Sequence, residues 1–162
     1  MTFILGPISR KNLIGVHPDL LKVVEGAIRV STVDFRVQEG LRTATRQKKL
    51  FEAGASTTLD SQHIVQKDGF GHAVDLVPYL DFDGDGDSEL RWDWPLAYKI
   101  AEAMQKAALG CSVLIRWGGC WDHELTALGD PERASLAYVN RRLTLGRRAF
   151  VDGPHMELWR KG

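Results

Sequence analysis

Apolar and polar residues along this chain follow two periods, and the changes between them divide it into elements. Behind His17-Pro18-Asp19, which reads as a helix start, Leu20, Leu21, Val23, Val24, Ala27 and Ile28 recur at helical spacing. Residues 32–38 then alternate, Val33, Phe35 and Val37 against Asp34, Arg36 and Gln38, as a half-buried strand does. An amphipathic stretch over 43–53 predicts a helix that stops at Gly54. Residues 73–79 are β-rich and apolar, which predicts a core strand, and 81–89 form an acidic, glycine-punctuated loop. Pro95 stands at a first helical position, with Leu96, Ile100, Ala103, Met104 and Ala107 following at helical spacing up to Gly110. Residues 112–117 predict a strand ended by Gly118-Gly119, 131–145 a helix, and 151–159 a final strand. Scattered strands mixed with helices point to an α+β domain whose mostly antiparallel sheet is flanked by helices.

Composition narrows the class. A chain of 162 residues is one domain on the usual prior, and it buries roughly two thirds of its unfolded surface. Its 21 basic and 21 acidic residues balance, which argues against coating nucleic acid or an anionic membrane as its main task. Two cysteines, Cys111 and Cys120, are too few for a disulfide scaffold or a Cys-rich zinc module, so free thiols are expected. No apolar run approaches the length of a membrane span, and Gly6-Pro7 interrupts the N-terminal segment too early for a secretory signal. The expectation is a protein made in the cytosol, without stable membrane insertion.

Candidate chemistry gathers in two polar clusters. The first runs Ser61-Gln62-His63 and then Gly71-His72-Ala73-Val74-Asp75; the second is Asp152-Gly153-Pro154-His155-Met156-Glu157. Two histidines and a carboxylate brought together by folding make a three-ligand zinc site with an open fourth position. A further carboxylate beside it can take a proton from water. Loop polar residues around a buried core histidine would give the same spacing, so the spacing alone leaves both readings open.

The wording of four segments says more. EGLRTATRQ (39–47), SQH…GHAVDLVP (61–78), IRWGGCW (115–121) and DGPHMELW (152–159) occur in this order. Together they resemble the zinc D-Ala-D-Ala carboxypeptidase/L-alanyl-D-glutamate peptidase family, and within it the short phage endolysins that open bacterial peptidoglycan. The likeness spans roughly three quarters of the chain. It implies a small α+β fold of the Hedgehog/D,D-peptidase kind. It also implies His63, Asp75 and His155 as zinc ligands, Asp152 as the catalytic carboxylate and Arg42 as the arginine that faces substrate or the developing oxyanion. Glu157, two residues from His155, would share that ligand's face of a strand and orient its imidazole, and it is the alternative base. The family places its first histidine roughly seven residues before the aspartate, whereas His63 and Asp75 are twelve apart, with 65–69 reading as an insertion. His72 is therefore a rival ligand. Strand parity opposes it, because side chains three apart leave opposite faces.

Other features carry their own alternatives. Asp81, Asp83 and Asp85 with Gly86 resemble the start of a calcium loop, but Trp92 occupies the twelfth position, where a bidentate Glu belongs. A looser Ca²⁺ site and a solvated acidic turn are the two readings. One tryptophan ring of 117–121 is expected to line the substrate groove and the remaining tryptophans to be core. Arg133, Arg141, Arg142, Arg147 and Arg148 make a basic segment that reads as a solvated helix face or as an attraction towards anionic envelope polymers. Between them Leu136, Ala137, Val139, Leu143 and Leu145 predict a core-facing stripe.

The expectation is a single zinc peptidase domain over 1–162, without a separate wall-binding domain. It would act as a monomer on the L-Ala–D-Glu bond of peptidoglycan, with no nucleic-acid partner. It would be made in host cytoplasm and act at the periplasmic wall, needing a separate membrane-opening protein to get there. A D,D-carboxypeptidase of the same family and a catalytically inactive zinc-stabilised binding module are the alternatives.

Overall fold

A computed structural model describes residues 1–160. Helix α1 (Pro7–Asn12) and helix α2 (Pro18–Val30) precede strand β1 (Phe35–Glu39). Helix α3 (Ala44–Glu52) and a long irregular segment lead into β2 (Ala73–Leu80), which turns through the acidic loop into the short β3 (Glu89–Leu90). Helix α4 (Trp94–Cys111), β4 (Ile115–Trp117), β5 (Cys120–Glu124), a single 3₁₀ turn (Leu125–Ala127), α5 (Pro131–Thr144) and β6 (His155–Leu158) complete the chain. The sheet runs β1-β2-β6-β4-β5, with β3 on β2, and every pairing is antiparallel. This is the α+β antiparallel architecture expected from the sequence.

The core lies on one face of the sheet. On α2, Leu20, Val23, Val24, Ala27 and Ile28 are buried at the predicted spacing, against Ile100, Ala101, Met104 and Ala108 of α4. The two helices approach closely at Gly26, where an added Cβ would stand 3.2 Å from that of Ala107. Phe35, Val37, Val74, Leu76, Met156, Ile115 and Trp117 are among the strand residues pointing into this core. Strand parity therefore commits the residues between them, Asp75, His155, Glu157 and Arg116, to the opposite face.

Local hydrogen bonding moved several element ends. The strand expected over 32–38 begins at Phe35, because the Asp34 carboxylate accepts the Phe35 N–H at 2.8 Å and Ser31 Oγ closes a turn on Val33. The strand expected over 112–117 begins at Ile115. Ser112 takes a left-handed conformation (φ 55°) and the Val113 N–H bonds back to Ala108 O at 3.0 Å, so these residues close α4. The strand expected over 151–159 is ordered as a ladder only from His155, because residues 152–154 turn. Helix α1, β3, β5 and the 3₁₀ turn lacked a periodic signal. The predicted stripe on α5 is corrected: Pro131, Ser135 and Tyr138 are buried, while Leu136, Leu143 and Leu145 are exposed. An aromatic ring and small residues fill this contact.

Two irregularities prepare the second face. Between Val37 and Glu39 the β1–β2 register slips, so that Val37 opposes Leu76 and Glu39 opposes Asp75. The bulge turns Glu39, two residues after a core-facing valine, onto the face that carries Asp75. Helix α1 satisfies the distorted backbone: Ser9 Oγ accepts the Val37 N–H at 3.0 Å, and the Asn12 amide donates to the carbonyls of Val37 and Gln38. The second irregularity is the 152–154 turn. Asp152 N–H donates to Gly118 O at 2.9 Å, Trp117 Nε1–H to Gly153 O at 2.8 Å and Leu76 N–H to Pro154 O at 2.9 Å. A Cβ at Gly118 would fall 2.1 Å from the Asp152 carbonyl oxygen. Gly118→Ala is expected to destabilise the fold by about 1–3 kcal/mol, as overpacking does. Chemical denaturation measures this, and parental stability would mean that the 152–154 turn yields freely.

Candidate metal centre

Register between two strands sets the first two groups of the site. Asp75 on β2 lies directly opposite His155 on β6. Glu157 is two residues further along β6 on the same face, and its Oε2 accepts from His155 Nε2 at 2.8 Å. That bond leaves Nδ1 of His155 facing Asp75 Oδ1, 3.3 Å away. The third group arrives from irregular chain. His63 is 2 % exposed, and its Nδ1–H donates to Gly40 O at 2.8 Å, which turns Nε2 towards the same Asp75 Oδ1 at 3.3 Å. Each imidazole thus has one nitrogen anchored by the protein and the other aimed at a common point, the arrangement that orients metal-bound histidines.

The separations test the fit. Tetrahedral zinc with bonds of about 2.0–2.1 Å needs donors about 3.3–3.4 Å apart. Both histidine nitrogens stand 3.3 Å from Asp75 Oδ1, which is buried yet makes no hydrogen bond of acceptable geometry. Two imidazole nitrogens and a carboxylate oxygen form a donor set suited to zinc. The insertion that lengthens the His63–Asp75 spacing folds into a hairpin closed by a Val65–Gly71 bridge. The extra residues are taken up there and His63 still reaches the site. His72 does not join it. Its side chain leaves the other side of the strand entry and meets Asp68 instead.

Charge around the centre is strongly perturbed. Burial opposes ionisation of Asp75, but the His155 and His63 imidazoles facing it at 3.3 Å outweigh it and hold the carboxyl well below the usual range. Burial likewise opposes the His155 imidazolium, yet Asp75 and Glu157 together push it up to about 9. Glu157 is buried, but its bond to His155 and the Arg116 guanidinium across β4 keep it ionised. Asp152 stands beside the group without belonging to it. Burial first, and then the Asp75 charge, push its carboxyl upward from the ordinary value.

Arg42 is held by a frame whose role the sequence reading did not single out. Its Nε and one terminal nitrogen donate to both oxygens of Glu39, at 2.9 and 2.6 Å, and its other terminal nitrogen donates to Gln47 Oε1 at 2.6 Å. Glu39 also binds Arg46 at 2.7 Å, and these two arginines outweigh burial to keep its carboxyl low. Arg42 then stands 3.9 Å from Asp75 Oδ2 with part of its fork unused. Both Glu39 and Gln47 fall inside the 39–47 segment, but only the bulge shows that Glu39 faces the site.

These groups line one groove of about 610 Å³. Trp121 forms its wall, stacked on Phe150 at 6.2 Å and tilted 5.2 Å from the His155 ring, while Trp117 is core. Gln62 also lines the groove, with both side-chain polar atoms buried and unpartnered. Elsewhere, Asp81, Asp83 and Asp85 bring ligand-type oxygens within 4.8 Å of one another in an exposed loop. Their carboxylates meanwhile accept N–H groups of residues 84–87. Cys111 and Cys120 are free, and burial pushes the Cys120 thiol up to about 11. Two of the five arginines are engaged: Arg141 pairs with Asp122, and Arg142 donates to Arg148 O.

Comparison with known proteins finds relatives along nearly the whole chain. The sequence model of a family described as phage L-alanyl-D-glutamate peptidase matches residues 1–159. The L-alanyl-D-glutamate peptidase of Escherichia phage T5 is 29% identical over 162 residues, spanning 98% of this chain and 99% of that protein. The crystal structure of the Serratia marcescens L-Ala D-Glu endopeptidase ChiX is similar with a TM-score of 0.66. It is 35% identical, over 94% of this chain and 87% of that one.

The raised His155 value makes a signed prediction for metal-free protein. Its folded value is about 9 against an ordinary 6.5, so its stabilisation is complete below pH 6.5 and lost as pH rises through about 9. In chelator-treated protein the thermal midpoint should fall across that window more steeply than in His155→Asn. Parallel profiles for the two proteins would refute the assignment.

Proposed function

This chain belongs to the phage L-alanyl-D-glutamate peptidase family and is a hydrolase of that peptide bond, and we propose that it works with a zinc ion held by His63, Asp75 and His155. The substrate is the stem peptide of bacterial peptidoglycan, cut between L-Ala and D-Glu rather than at a terminal D-Ala. The observation that carries the zinc assignment is Asp75 Oδ1, buried without a hydrogen bond and equidistant at 3.3 Å from two anchored imidazoles.

Held by His63, Asp75 and His155, a zinc ion would supply Lewis-acid polarisation of the scissile carbonyl and would lower the pKa of water to about 7. The protein's own groups do the rest. Asp152, on a 152–154 turn held by three hydrogen bonds, accepts a proton from the attacking water and delivers it to the leaving D-Glu amine. Arg42, clamped by Glu39 and Gln47, directs its free N–H groups at the substrate and at the charge that grows on the carbonyl oxygen. Glu157 holds the His155 imidazole in position through Nε2, and Arg116 holds Glu157. The Trp121–Phe150 wall shields the reacting bond from bulk water.

All these residues come from one chain, which supports action as a monomer. No helix among the described residues is long and apolar enough to cross a membrane. Separately, and resting on membership of the phage peptidase family, we assign passage from the host cytoplasm to the wall to a separate membrane-opening protein.

Purified enzyme should release fragments from peptidoglycan whose mass identifies cleavage after L-Ala. Chelation should abolish release, and Zn²⁺ should restore it. His63→Ala should lose zinc. Asp152→Ala should keep stoichiometric zinc but lose turnover by about 10²–10⁴-fold, as loss of a general acid–base group does. Arg42→Ala should keep zinc and also slow turnover. Parental cleavage by Asp152→Ala would move the proton-carrier role to Glu157, and binding without fragment release by the parent would mark an inactive module.

The acidic loop after β2 fits a Ca²⁺ site at Asp81, Asp83 and Asp85, which would order the strand end beyond Asp75. Millimolar Ca²⁺ should raise the thermal midpoint of the parent by mass action, and not that of an Asp83→Ala, Asp85→Ala variant. The same response from both leaves only the solvated turn.

A further inference from the structure

His72, the rival ligand on sequence grounds, has partners of its own. Its Nε2 stands 2.6 Å from Asp68 Oδ2, and Nε2 of His17 stands 3.6 Å from the same oxygen. The two imidazoles meet edge to face, centroids 5.2 Å apart. Three segments far apart in sequence converge here. His17 caps α2, Asp68 sits at the tip of the 66–70 hairpin, and His72 stands at the entry to β2. Backbone bonds hold the convergence without help from the side chains: His17 N–H donates to Gly71 O, Gly71 N–H to Gly15 O and Gln66 N–H to Phe70 O, each at 2.9 Å.

We propose that His17, Asp68 and His72 form a second site, for a divalent transition-metal ion of the zinc class, separate from the centre at Asp75. Two imidazole nitrogens and one carboxylate oxygen are again a borderline-soft donor set that favours zinc over calcium or magnesium. The three ligand atoms lie within 4.8 Å of one another. Reaching the tetrahedral separation of about 3.3–3.4 Å means opening the Asp68–His72 contact slightly and closing the Asp68–His17 contact slightly. Asp68 has the freedom for both, because its side chain is 40% exposed on a hairpin tip. The histidine side chains, at 24% and 17%, are mostly enclosed, and Asp68 is the most exposed of the three.

The ring proton has a destination. His17 Nδ1 accepts the Asp19 N–H at 3.1 Å, so in the ion-free protein the proton rests on Nε2. Metal on Nε2 moves that proton to Nδ1, where the Asp19 carboxylate, 4.0 Å away, becomes its acceptor. One helix-cap bond is exchanged for the imidazole–carboxylate pair that typically orients a metal-bound histidine.

The ion would act as a staple. His72 N–H donates to Gln62 O at 2.7 Å, beside His63, so fixing His72 to α2 and to the hairpin stiffens the irregular chain that delivers His63 to the groove. The site is structural, and it stands on geometry that does not involve the catalytic reading.

Elemental analysis of zinc-loaded protein after gel filtration tests it. The parent should hold two ions per chain, and Asp68→Asn and His72→Ala one each while still cleaving peptidoglycan. His155→Ala should also hold one, and the His155→Ala, Asp68→Asn double variant none. In the His155→Ala background Zn²⁺ should raise the thermal midpoint, and Asp68→Asn should abolish that rise. Asp68→Asn changes an exposed hairpin residue and keeps the test open even where His72→Ala folds poorly. A parent with one ion, or two ions that persist in Asp68→Asn, overturns the second site. The catalytic reading fails by a different result, peptidoglycan cleavage by His155→Ala at the parental rate.

Discussion

A carboxylate buried in the middle of an antiparallel sheet organises this molecule. Asp75 interrupts an apolar strand, with Glu39 opposite it on one side and His155 opposite on the other. Removing such a charge from water costs several kcal/mol unless partners replace the lost hydration. Two imidazoles and Arg42 surround it, yet its Oδ1 has no hydrogen bond of its own. A cation at that oxygen would supply the missing partner, and two anchored imidazoles already face it.

The surrounding shell is a chain of charges held in alternating sign. Arg116 holds Glu157, Glu157 holds His155, and on the other side Glu39 holds Arg42 and Arg46. Removing Arg116 would leave the buried Glu157 with His155 as its remaining partner, and losing a partner of a buried charge is the expensive half of such an interaction. Rigid presentation of Arg42 and Asp152 follows from these bonds and from the three backbone contacts of the 152–154 turn. That rigidity suits catalysis by prearranged charge, which loses its advantage if groups must reorganise during reaction.

Much of the scaffold was legible because periodicity reports burial directly. The apolar stripe of α2, the alternation leading into β1 and the apolar run of β2 each oppose one side of the chain to another. Elements without such an opposition stayed hidden: β5, written Cys-Trp-Asp-His-Glu, has no alternating pattern, and α1 is held by Ser9 and Asn12 reaching the β1 bulge. On α5 the aliphatic residues misled, since the buried contact is made by Tyr138 with Pro131 and Ser135.

The same division holds at the site. Residue types and strand parity were sufficient by themselves to set Glu157 on the face of His155 and to send His72 away from the face of Asp75, because a period of two leaves no choice. Four ordered segments also named Asp152, Arg42 and His63. Only the tertiary structure decided that Glu39 turns inward, since a bulge is a register difference between two strands and leaves no trace in either alone. Only it decided that a hairpin absorbs the insertion before His72, and that Asp68 and His17 meet that histidine. Contacts between segments distant in sequence depend on how the chain closes, and local pattern carries no information about closure.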